Sequence, residues 1–271
     1  MAFKVRSLTF DAKKTVRGKF KPSTTAEREF SKALRKVAQA SGHIVDNHVD
    51  GAKILDGGKM QQALKQYSDA LTPWAQRQSA KLLEQVQKSN KRAYTNKSKA
   101  IGTALNLGVA EKDVGEVALR LLNEQVALIK SIPLEAGLRA QKIAHEAVLH
   151  GTRAEANEDT IAELQKQLGL TTEVATSRAK LIAITETARA NATINQARAM
   201  AVGSDQYRWH NSGDEAVRHS HKFYKGKRMQ GMIFSWDNPP TLDDGMKGHP
   251  GTFPRCRCFA EPVFSDEGLQ N

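Results

Sequence analysis

The chain has 271 residues, 39% of them hydrophobic but only 6% aromatic, which suits two compact units and is too poor in large rings for a β-rich core. Lys and Arg number 41 against 29 Asp and Glu, a net charge of +12 that fits contact with nucleic acid, an acidic protein partner, or simply well-solvated helix faces. Two cysteines rule out a disulfide framework, and no run of about 18 apolar residues offers a membrane span.

The opening MAFKVRSLTFDAKKTVRGKF lacks the apolar stretch of a secretory signal, so synthesis in the cytoplasm with no membrane association is expected. Residues 1 to 36 hold eleven Lys or Arg against Asp11, Glu27 and Glu29, which concentrates most of the excess charge at this end. With Gly18 and Pro22 interrupting any period, residues 1–24 read as an extended basic arm. Its Lys4, Arg6, Lys13, Lys14, Arg17, Lys19 and Lys21 are the candidate non-specific contacts to double-stranded DNA.

A helical domain is predicted over residues 25–200, as an elongated bundle or hairpin array. Phe30, Leu34 and Val37 share one helix face, with Gly42 as a stop. His43 and His48 are five residues apart, off a common face, and read as ordinary polar histidines. Pro73 marks a helix start or a kink. Residues 88–100, KSNKRAYTNKSKA, read as a loop, an exposed helix face or a phosphate-binding strip. Leu119, Leu122, Val126 and Ile129 recur at helical spacing before Pro133, which is predicted to open a further helix carrying Leu138, Ile143 and Val148 and ending at Gly151. Ile161, Leu164 and Leu168 precede Gly169, and Thr171 or Thr172 caps a last long helix through Leu181, Ile184, Ala188 and Ile194.

Past residue 200 rings and prolines gather, so residues 201–271 are predicted to form a small α+β domain with strands near 206–210, 232–236 and 258–263. His221, His249, Cys256 and Cys258 fall within it, two nitrogens and two sulfurs that suit tetrahedral zinc. The same residues also read as buried reduced thiols and histidines bonded to loop backbone.

The stretch WHNSGDEAVRHSHKFYKG (209–226), then His249-Pro250 and Cys256-Arg257-Cys258, resembles the C-terminal signature of the phage Mu protein F-like head morphogenesis family, the minor capsid or minor head proteins. The motif positions are Trp209, Asp214, Val217, Arg218, His221, Gly226, Pro250 and Arg257 with its flanking cysteines, and the resemblance extends over about residues 115 to 264. Two features depart from the pattern. Ile184 stands where an Arg often precedes the Thr-Glu pair, and a longer spacing before Cys256 leaves either His249-Pro250 or Phe253-Pro254 as the matching dipeptide.

The resemblance implies a non-enzymatic minor head protein in the interior of the virion near the portal. Its partners would be the portal protein, the major capsid or scaffolding protein and packaged DNA. Two rival readings are a metal-dependent nuclease using His219 or His221 with Asp214, and a nucleoid-like DNA-binding protein.

Overall fold

The computed structural model describes residues 20–51, 53–151 and 158–264. Arm residues Lys4, Arg6, Lys13, Lys14, Arg17 and Lys19 lie outside the described residues; Lys21 lies inside them and donates to the Ser212 carbonyl at 3.3 Å.

Long helices dominate. Helix α1 (Thr24–Asp46) starts where the Ser23 hydroxyl accepts the Ala26 N–H, and buries Phe30, Leu34, Val37 and Val45 along one face. It does not stop at Gly42. At that position a Cβ would sit 1.8 Å from the Thr172 hydroxyl oxygen, so the glycine allows a close crossing of two helices. A small hairpin, β1 (Val49–Asp50) and β2 (Lys53–Ile54), leads to α2 (Gly57–Ala70), capped by Asp56.

Helix α3 (Thr72–Ile101) carries Pro73 in its first turn and ends at Gly102, whose φ of +72° few other residues adopt. It absorbs residues 88–100, which are neither loop nor wholly exposed: Asn90, Ala93 and Tyr94 point inward.

A short 3-10 turn (Leu107–Ala110) precedes α4 (Glu111–Gly151), a single helix of 41 residues. Pro133 lies inside it and opens no new one. A proline there removes the N–H that would meet the Ile129 carbonyl, and the Ser68 hydroxyl of α2 donates to the adjacent Lys130 carbonyl at 2.9 Å. Ile129 and Ile143 are buried as expected and Leu122 and Val126 partly so, but Leu119, Leu138 and Val148 are exposed. A helix this long has neighbours along only part of each face.

Helix α5 (Glu158–Gly169) buries Leu164 and Leu168 and passes directly into α6 (Thr171–Ala201). Neither threonine caps α6 by its side chain: the Thr171 hydroxyl reaches back to the Leu168 carbonyl at 2.6 Å. Helix α6 is the central element, packing on α1, α3 and α4. Its many alanines bury it on several sides and let neighbouring backbones come close; Leu181 is half-buried and Ile182 takes the core position beside it.

After α6 comes a three-stranded antiparallel sheet in the order β6-β3-β7, from β3 (Gln206–His210), β6 (Ile233–Ser235) and β7 (Phe259–Val263). Between β3 and β6 lie a one-turn helix, α7 (His219–Lys222), and a hairpin of β4 (Phe223–Tyr224) and β5 (Lys227–Arg228). This α+β region does not rest on its own core alone. Tyr207, Trp209, Trp236 and Phe259 pack together with Phe20 from before α1, Ala93 and Tyr94 of α3, and Ala199 of α6.

Polar pins reinforce the seam. Asn195 of α6 donates to the Ala260 carbonyl at 2.9 Å and accepts from Tyr94, and one helical turn earlier Asn191 donates to the Phe20 carbonyl at 3.0 Å. Glu261 of β7 takes Lys97 of α3 at 2.8 Å and His210 of β3 at 3.0 Å.

Candidate metal centre

Three loop features bring the donor atoms together. Arg218 precedes the turn of α7 that turns His221 inward, where its ring sits 5.8 Å from the buried Trp209 ring. Cys258 immediately precedes β7, whose pairing with β3 fixes it. Cys256 is held two residues earlier by its own N–H bonded to the Phe253 carbonyl at 3.1 Å. The loop before it crosses α6 at Gly251, φ +91°, where a Cβ would meet the Cys258 and Ala188 carbonyl oxygens at 3.0 and 3.2 Å.

The His221 Nδ1 lies 3.4 Å from Cys256 Sγ and 3.7 Å from Cys258 Sγ, and all three donor atoms fall within 4.8 Å of one another. All three residues are buried. Donors at zinc bond lengths of about 2.0 to 2.3 Å in a tetrahedron stand roughly 3.5 to 3.8 Å apart. The two nitrogen–sulfur distances are close to those between corners of a zinc tetrahedron, and one nitrogen with two sulfurs is a donor set zinc favours.

The charge state fits as well. A hydrogen bond from the Cys258 thiol brings Cys256 down to about 5 against the opposing effect of burial, with His221 assisting, while that same bond and burial push Cys258 up. The two thiols are thus pushed apart, Cys256 toward its thiolate and Cys258 toward its protonated form, and a cation bound by both must displace the proton that Cys258 holds. The His221 Nε2 is buried with no hydrogen-bond partner among the described residues.

His249 does not join this group. Its Nδ1 lies 3.1 Å from the Tyr207 hydroxyl and its ring packs on Trp236. Burial pushes its pKa down to about 4, so it stays neutral across the ordinary range. The ring set against His221, 5.0 Å away, is that of Phe253, the residue of the other candidate dipeptide.

The group borders a cavity of about 370 Å³, also lined by Asp214, Arg218, Arg255 and Arg257. Of the other motif positions, Trp209 is in the core, Pro250 is buried and Asp214 is exposed at the cavity rim. Arg218 donates to the Pro254 carbonyl at 2.7 Å, and Arg257 grips Glu27 of α1 with two bonds of 2.7 and 3.0 Å. His219 is exposed and stacks on Phe223. Sequence reasoning missed the Asn191 and Asn195 pins, for which the available signal was a spacing of four residues that sets both on one face of the helix.

Comparison with known proteins places this site at the end of a recognised region. Residues 140–261, from the second half of α4 into β7, match the family described as Phage Mu protein F like protein. A Haemophilus influenzae (strain ATCC 51907 / DSM 11121 / KW20 / Rd) protein described as an uncharacterized protein is 37% identical over 141 residues, 52% of this chain and 28% of that protein. The chain therefore spans little more than a quarter of that relative's length. No solved structure matches.

Proposed function

Because residues 140–261 are a Phage Mu protein F-like domain, we propose that this chain is a minor head protein of a tailed bacteriophage. In this reading it binds the portal inside the assembling head, beside the major capsid or scaffolding protein, and contacts packaged DNA without reading sequence. The match over 140–261 carries the proposal; the net charge of +12 supports the DNA contact, since Lys and Arg bind phosphates whatever the bases. Co-purification with the portal protein encoded in the same genome tests it. Stable capture is expected, and a chain that passes the portal ring without retention overturns portal association.

The proposed role of the metal centre is structural. His221, Cys256 and Cys258 hold zinc, and the ion ties α7, the loop before β7 and β7 itself into one piece. The cavity beside the donors leaves room for water or another solvent donor as a fourth ligand.

A second reading, a metal-dependent nuclease, draws on the same cavity, which sets Asp214 near a site with only three protein donors. A plasmid-cleavage assay with Mg²⁺ or Zn²⁺ separates the two. Intact DNA is expected, and cleavage lost on Asp214→Asn establishes the nuclease.

A further inference from the structure

Arg198, near the C-terminal end of α6, is 1% exposed and makes no direct ion pair among the described residues; the carboxylate whose charge reaches it, Glu111, is itself bonded to Lys91. Its Nη1 donates to Asn90 Oδ1 and its Nε has no hydrogen-bond partner among the described residues. A guanidinium withdrawn from water with no carboxylate in direct contact is costly to keep. It is not walled in by protein on every side, however: Arg198 lines a groove of about 520 Å³ between α3 and α4.

Residues from Ala80 to Lys91 of α3 form one wall, a run of about 16 Å at the helical rise. Leu83, Leu119 and Leu122 give the groove an apolar surface, with Leu119 63% exposed at its edge. Lys88, Lys91 and Arg198 face Glu84 and Glu111, leaving one positive charge in excess. Glu111 is engaged by Lys91 at 2.7 Å. An open, three-turn groove with apolar walls, one positive charge in excess and a buried cation that lacks a direct carboxylate contact has the shape and charge to receive a helix.

We propose that this groove docks an amphipathic helix of a partner protein, which lays apolar residues on Leu83, Leu119 and Leu122 and brings one carboxylate to the Arg198 guanidinium. The proposal does not rest on the head-protein reading, because apart from Arg198 every residue named here lies outside residues 140–261.

The test titrates the ¹⁵N-labelled full chain with a helical peptide of about five turns. The peptide carries leucines at i, i+3 and i+7 and a glutamate at i+4, and its counterpart has glutamine there. The readout is the Arg198 Nε–H resonance, identified by its loss in Arg198→Lys. A saturable shift with the glutamate peptide is expected, with binding about tenfold weaker for the glutamine peptide, because the contact to a charged pair is lost. Leu119→Asp, at an exposed position that leaves the fold intact, is expected to weaken binding by a similar factor and keeps the test valid if Arg198→Lys fails to fold. The proposal is overturned by no shift, by equal affinity for the two peptides, by binding indifferent to Leu119→Asp, or by a response to decanoate and not to the peptide.

Discussion

At the scale of single residues, the Cys256-x-Cys258 spacing and His221 were legible because a short run can bring adjacent donors together only a few ways. His249 was not. Both histidines sit in the same turn-rich region, and nothing local says that the Tyr207 hydroxyl, delivered by strand pairing, takes one of them while α7 turns the other toward the thiols. Protein purified without chelator is expected to contain about one zinc per chain. Replacing both cysteines by serine should abolish it, whereas His249→Gln should keep it; elemental analysis of the two variants decides, and equal metal loss in both would return His249 to the ligand set. Glu261 supplies a second prediction at this scale. Burial raises its pKa, but hydrogen bonds from His210 and Lys97 and their charges outweigh burial and hold it at about 2. A depressed carboxyl contributes stability above its unfolded value of about 4.5 that is lost as pH falls toward 2. Urea midpoints at pH 5.5 and 3 should therefore differ more for the natural chain than for Glu261→Gln, and parallel losses would remove Glu261 as the cause.

At the scale of elements, hydrophobic period identified where helices lie but not how they join or which turns find a neighbour. Along the chain Pro133 looks like a beginning because prolines favour first turns; a buried serine on α2 that answers a neighbouring carbonyl is a tertiary fact invisible there. Gly42 looks like an end because glycine weakens helices, whereas its role is the missing Cβ at Thr172. Ile129 and Leu119 fall in the same periodic series, yet one is wholly buried and the other 63% exposed. Ile129→Ala is expected to cost about 2 to 5 kcal/mol through lost burial and the cavity it leaves, and Leu119→Ala within about 0.5 kcal/mol of zero. Chemical denaturation of both measures the contrast, and similar costs would show that α4 is oriented differently.

At the scale of the molecule, the change of composition near residue 200 marked the onset of strands correctly, but the α+β region shares its core with Phe20, Tyr94 and Ala199. Sequence cannot show that sharing, because Phe20 and Tyr94 lie more than a hundred positions from the strands they meet. Phe20, 2% exposed and pinned by Asn191, also fixes where the basic arm can be removed without cutting into the core. A chain beginning at Phe20 loses six Lys or Arg against one acid, Asp11, and is expected to show a shallower fall of DNA affinity with salt. An unchanged slope would move the phosphate contacts elsewhere on the protein. The head-protein reading is tested most directly by quantitative mass spectrometry of gradient-purified procapsids assembled with and without the portal protein: the chain should be present at low copy in the first and missing from the second, and its absence from both, or equal amounts in each, would contradict a portal-bound minor head protein.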